Sequence, residues 1–248
     1  MNNKFNKKKF LQAGCFTLAA ALLAPTVAAE VTGNIGATSD YRFRGVSQSA
    51  GSAALQGGVD YSHDNGFFAG AWASTIDFDK GYGVEDQTGA DIELDIYMGY
   101  AGAINESLEY DVTLYRYNYP GDDVSQDYNE ISVGLYFGDA HVAYWYANDY
   151  ANGGEDYSYI EGNYSFALSD NWSLDLHAGY NFGGAFEYSD DGESYDDAYV
   201  DYSIAVSTSV ADVDISLAYL ASNYDWKENN NIAWKSNNSL VLSATYSF

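Results

Sequence analysis

Apolar and polar side chains alternate, one for one, along nearly the whole of this chain. Ile92, Leu94, Ile96, Met98 and Tyr100 face one way; Glu93, Asp95, Tyr97 and Gly99 face the other. The same period of two recurs around 131–137, 172–182, 200–206 and 213–221, the signature of strands with one apolar face. It runs to the last residue: Leu240, Leu242, Ala244, Tyr246 and Phe248 share a face. Strands are therefore expected near 31–44, 53–62, 67–78, 91–101, 107–119, 128–138, 140–149, 157–168, 172–183, 197–209, 213–224 and 237–248.

A soluble half-buried sheet alternates in the same way, so the connections discriminate. Short joints (63–66, 102–106, 139, 169–171, 210–212) take turns with longer, more polar ones (45–52, 79–90, 120–127, 150–156, 184–196, 225–236). That rhythm is expected of an up-and-down barrel with turns at one rim and loops at the other. The predicted fold is an all-β transmembrane antiparallel β-barrel of about 12 strands, with ten or fourteen as alternatives; a secreted sandwich is the rival. Beyond the first 29 residues no apolar run approaches the ~18–20 residues of a membrane helix, and a closed barrel is the other way to satisfy the backbone in lipid.

The front of the chain fits an exported protein. Lys4, Lys7, Lys8 and Lys9 precede an apolar stretch from Phe10 to Ala24 and the small residues Val27, Ala28 and Ala29. This is the pattern of a signal peptide cleaved after residue 29, leaving 30–248 as the barrel. Cys15 is the sole cysteine. It sits poorly for lipidation, with Gln12 where a leucine belongs, and it leaves with the signal. The mature chain then has neither disulfides nor thiolate metal sites.

Composition narrows the function. The net charge is −26, with 36 acidic against 10 basic residues, four of the latter in the signal. So acidic a surface repels nucleic acid, and no basic patch is present. Two prolines with 24 glycines and 25 tyrosines suit strands, turns and interfacial girdles. Trp145 and Trp172 are assigned to the girdles.

With the apolar face outward, the interior is expected to carry Arg42 and Arg44 with Asp40 on the first strand. Asp60, Glu93, Asp95, Asp111, Glu130, Asp175, His177, Asp201 and Asp214 join them, along with Asp91, Glu109 and Glu161. Rings of carboxylates select cations by their field; alternatively they are a solvated wall stapled by the two arginines. Arg42 and Arg44 also have the form of a bidentate anion clamp. His177, two residues from Asp175, is the one histidine placed for catalysis, and a hydrogen-bonded wall histidine explains it equally. The acidic loops, such as Asp122-Asp123, lack EF-hand spacing. No cofactor or metal is implied. Two stretches resist phasing. Tyr115, Tyr117 and Tyr119 are assigned to the lipid face, which requires a bulge near Tyr115 to turn Arg116 inward. Residues 67–76 have two similar faces.

The run Tyr41-Arg42-Phe43-Arg44-Gly45-Val46-Ser47-Gln48 resembles the TorF-type porin family of proteobacteria in its motif Tyr-x-Phe-Arg-Gly-x-Ser-Gln, and the likeness extends over about residues 31–78. The resemblance implies an outer-membrane barrel of Gram-negative bacteria and transfers no catalytic or ligand-binding residue. Leu240, Leu242, Tyr246 and Phe248 resemble the C-terminal signal read by the barrel assembly machinery. The expected function is passive diffusion of small solutes, favouring cations or neutral molecules. The alternative is a non-conducting barrel with a structural or adhesive role. Outer-membrane lipid and lipopolysaccharide are the expected surroundings, and a monomer is the default.

Overall fold

In a computed structural model, residues 29–78, 88–186, 189–190, 193–194, 198–224 and 234–248 are described. The proposed signal lies almost wholly outside them. Twelve antiparallel strands close on themselves: β1 (Ala29–Thr38), β2 (Ala54–His63), β3 (Phe67–Thr75), β4 (Ile92–Asn105), β5 (Leu108–Asn118), β6 (Tyr128–Phe137), β7 (Ala140–Ala147), β8 (Tyr157–Ala167), β9 (Trp172–Phe182), β10 (Ala198–Val210), β11 (Val213–Ser222) and β12 (Ser239–Ser247). Each pairs with its sequence neighbour, and β1 pairs with β12. The count is twelve, and short and long connections alternate along the chain as expected.

The seam is made by the chain ends. Asn34 stands opposite Ser247 and Thr38 opposite Ser243. The Phe248 amide donates to the Gly33 carbonyl at 2.9 Å, and the Gly33 amide returns a bond to the Phe248 carbonyl at 2.8 Å. Closure leaves the sheet without an edge. The phenylalanine ring stacks on Tyr246, 6.0 Å between centroids, on the outer face.

That outer face is apolar and uncovered. Val31 is 67% exposed, and Leu242, Leu114 and Ile204 each exceed half. A band of this kind is far beyond what water tolerates on one molecule, and it is the surface that lipid solvates. Trp172 stands on it near the short turns. Trp145 does not: it is buried inside, between Ala143 and Ala147 of the same inward phase.

Three other expectations are corrected. The first strand ends at Thr38, not 44, because the chain there turns into the barrel. On β5 the phase set by Asp111 and Thr113 continues through Tyr115 and Tyr117, which point inward and are buried. No bulge occurs at Tyr115, whose neighbours keep register against β4 and β6; the irregularity lies between Ala103 and Asn105. Arg116 faces outward near the long-loop rim, where its guanidinium meets Asp127 at 3.1 Å. Finally, β3 does have a phase, with Phe68 and Ser74 inside.

Glycines on the inward phase make room for rings. A Cβ at Gly99 would collide with the Phe68 ring and with the Val112 carbonyl, and Phe68 is the residue directly across from it. Gly99→Ala should therefore cost about 1–3 kcal/mol through overpacking. The check is a fall in the temperature at which folded, fast-migrating protein converts to the slow form on gels. An unchanged midpoint would show that the ring is not seated as described.

Candidate functional site

The loop between β1 and β2 does not lie on the rim. Residues 39–53 enter the lumen and cross to the opposite wall. The segment is a miniature hairpin: Arg42 pairs with Ser47 and Phe43 with Val46. Arg44 and Gly45 form its two-residue tip, with φ of 48° and 85°. Positive φ at both centres is the geometry of the tight turn that suits twisted hairpins. Glycine adopts it freely. Arginine does so at a cost of about 1–2 kcal/mol, and its side chain supplies the reason.

The Arg44 guanidinium makes a fork-on-fork contact with Glu130 of β6, Nη1 to Oε1 at 2.8 Å and Nη2 to Oε2 at 2.9 Å. The Phe43, Trp145, Tyr157 and Tyr159 rings surround it, 4.5–5.2 Å from its central carbon. Tyr117 donates a further bond to Glu130 at 2.9 Å, and Tyr199 on β10 donates to the Arg44 carbonyl at 3.1 Å. Burial works against the charge of Arg44, but the Glu130 carboxylate holds the guanidinium well above its ordinary value. It stays a cation at any accessible pH. A buried pair of this kind adds little net stability over apolar packing; here it sets the hairpin tip on β6.

The root of the hairpin is held separately. Arg42 meets Asp40 at 2.6 Å and donates to the carbonyls of Lys235 and Asn237 at 2.8 and 3.1 Å. Ser47 donates to Asp40 at 2.6 Å, and the Gln48 carbonyl accepts from the Asp77 amide at 2.9 Å. Arg42 and Arg44 are thus interior residues of a loop, not of the first strand, and each is bound to an acid of the protein itself. The bidentate contact exists, with Glu130 in place of an outside anion.

Most of the remaining acids fall into three groups, and Glu161 accepts from the Trp145 indole at 3.0 Å. Asp111 accepts from Thr113 at 2.7 Å and from Tyr136 at 2.8 Å, beside a cavity of about 20 Å³ lined also by His141 and Trp145, room for one water. Asp60 accepts from Tyr97. Near the short-turn rim, Asp175 accepts from Ser165 and Ser173, and Asp214 from Ser209. His177 belongs to a second network. Its Nε2 lies 2.9 Å from Asp201 and its Nδ1 2.8 Å from Asn163, while Asp201 also accepts from Asn181 at 2.8 Å. Both ring nitrogens are engaged, leaving neither to activate a serine. Glu93 and Asp95 form the third group. Both are buried, and neither Oε2 of Glu93 nor either oxygen of Asp95 has a hydrogen-bond partner among the described residues.

The interior aromatic wall of Tyr115, Tyr117, Tyr157 and Tyr159 is the feature that sequence reasoning missed. Its signal is parity: these tyrosines share the phase of Asp111 and Glu161, which marks them as inward-facing.

With this geometry in hand, the relationships of the chain are clear. The profile of a bacterial protein family of unknown function, Gcw_chp, matches residues 23–248. The chain belongs to that family. No curated protein matches it in sequence. Among solved structures it is similar to the KdgM porin, with a TM-score of 0.53 at 8% identity, covering 88% of this chain and 99% of the other. It is similar also to the NanC porin, again 0.53 and 8%, over 87% and 98%. A structure of KdgM in complex with disordered oligogalacturonate gives 0.51 and 9%, over 88% and 99%. At such identities the likeness is one of fold. This member of the Gcw_chp family has the barrel of those porins.

Removing the guanidinium while keeping the turn isolates the clamp. Asn tolerates positive φ, so Arg44→Asn should leave the hairpin turn intact. It strands the Glu130 carboxylate, at a cost of about 3–5 kcal/mol. Adding Glu130→Gln should restore much of the loss, measured by urea unfolding in lipid vesicles. A double variant as unstable as the single one would contradict a paired clamp.

Proposed function

We propose that the protein is an outer-membrane channel for small solutes, with the segment 39–53 as its constriction. It is assembled through its C-terminal strand and surrounded by lipid and lipopolysaccharide. The observation that carries this reading is the contrast of the two faces: an uncovered apolar exterior around an interior furnished with ionisable side chains. A barrel serving only as an anchor has no need of so polar a centre, since each buried charge costs free energy unless paired.

The porin neighbours and the TorF-type resemblance support the same reading. They favour a channel over an enzyme, as does the engagement of both His177 nitrogens. The interior balance favours cations or neutral molecules: Asp60, Glu93, Asp95, Asp111, Glu130, Glu161 and Asp201 face the lumen, with Arg42 and Arg44 already bound to Asp40 and Glu130. KdgM's polyanionic ligand fits such a wall poorly.

A second reading, a non-conducting structural barrel, draws on a specific observation too. Tyr117, Tyr157 and Tyr159 are fully buried, so the centre is tightly filled in this conformation.

Planar-bilayer recording under a salt gradient tests both. The wild-type channel is expected to show small, cation-selective current. Arg44→Asn should raise the unit conductance severalfold by freeing the hairpin tip. Silence from both folded proteins would discard the channel in favour of the structural barrel, and an anion-selective reversal potential would reject the role given to the acids.

A further inference from the structure

On Glu130 this interior sets a guanidinium and surrounds that cation with rings. One strand pair away, an acid of similar surroundings lacks its cation. Asp95 points inward from β4 and is 0% exposed, and neither of its oxygens has a hydrogen-bond partner among the described residues. Glu93, two residues earlier on the same face, is 2% exposed and has a partnerless Oε2.

The rings are also present. Across the ladder, Asp95 stands opposite Trp72 on β3 and opposite Tyr117 on β5, and Tyr97 comes next on its own face. Tyr41, from the inward hairpin, lies edge-on to Trp72 at 5.5 Å; its hydroxyl and that of Tyr119 reach Glu93 as donors, so the acid with neither oxygen partnered among the described residues is Asp95. Tyr117 joins the two sites, its hydroxyl bound to Glu130 and its backbone paired with Asp95. Among the described residues, the base facing this trio of acids is Arg44, which Glu130 already holds. A buried carboxyl without a partner is held neutral until a cation reaches it, and aromatic faces attract organic cations. Among the described residues no group of His, Cys, Asp and Glu is placed to hold a metal ion, so the donor set fits an organic cation better than a metal.

We propose that Glu93 and Asp95 form a subsite for the ammonium or guanidinium head of a small organic cation, covered in this conformation by Tyr41 of the inward hairpin. As a statement about what the barrel carries, this rests on the channel reading; as a binding site it stands without it. Entry requires the hairpin to shift. The bound cation takes the position toward Asp95 that Arg44 takes toward Glu130.

Agmatine, which carries both head groups, is the probe. The refolded full-length barrel is titrated with it while tryptophan emission is followed, Trp72 being beside the subsite. In parallel, agmatine and glucose entry into proteoliposomes are measured. Wild type is expected to give a saturable emission change that succinate does not produce. Asp95→Asn and Glu93→Gln, shown to be folded by gel mobility, should weaken agmatine binding about tenfold or more. Asp95→Asn keeps the shape of a protonated carboxyl, so equal binding in that variant would mean a neutral structural acid and overturn the subsite. No response in wild type would overturn it without any variant. Glucose entry without agmatine binding removes the subsite alone; agmatine binding with no entry of either solute removes the channel and leaves the subsite.

Discussion

Every backbone amide and carbonyl in a sheet that meets hydrocarbon must find its partner within the protein, and this requirement organises the molecule. An open twelve-stranded sheet would leave two edges unsatisfied, at several kcal/mol for each lost group. Pairing β1 with β12 removes both edges at once. The position of Phe248 is a result of it: the last residue completes the last pair of bonds at Gly33 and presents its ring to the apolar exterior. Closure also divides every strand into two environments, so the alternation along the sequence becomes a division between outside and inside.

What fills the inside is less forced. A wall of acids could stand in water, but here much of it is used internally. The hairpin of residues 39–53 crosses the lumen and sets one guanidinium on Glu130 within four rings. A left-handed arginine at its tip is tolerated because that side chain has one favourable destination. Backbone strain and side-chain attraction are balanced at the same residue, an arrangement common where a segment must have a defined but reversible seat. His177, Asp201, Asn163 and Asn181 form a comparable network on β8–β10 that needs no loop.

The strands, their order and the two rims are legible in the sequence because period-two patterning and turn spacing are local properties, written at each strand independently. That logic alone puts Phe248 and Leu242 on the outer face. The interior is legible as composition but not as contacts: parity says that Glu130 points in, not that a residue 86 positions earlier meets it. Arg42 and Arg44 read as part of β1 because their alternation continues that of the strand. Gly45 and the small residues after it carry the turn signal that competes with it. Tyr115, Tyr117 and Trp145 read onto the wrong face because aromatic girdles are a strong general expectation, although Asp111, Thr113 and Ala143 mark the correct phase. Whether Glu93 and Asp95 have partners lies beyond any sequence pattern, since that depends on three strands and a loop converging.

The register of the seam has a consequence for the order of events in the life of the chain. Ser39 bonds to a residue 203 positions later, Arg42 to one 193 positions later, and Gly33 to the final residue. The first strand of the barrel thus finds its partners in the strand most distant from it along the sequence. Contacts of such separation form slowly, because the chain entropy is lost before any bond is gained. Hairpins between neighbouring strands need no such closure, but a row of them keeps two open edges until the seam forms. The first and last strands are thus the two places where an unclosed barrel would offer unpaired backbone to a neighbouring sheet, and their joining turns a row of hairpins into a wall.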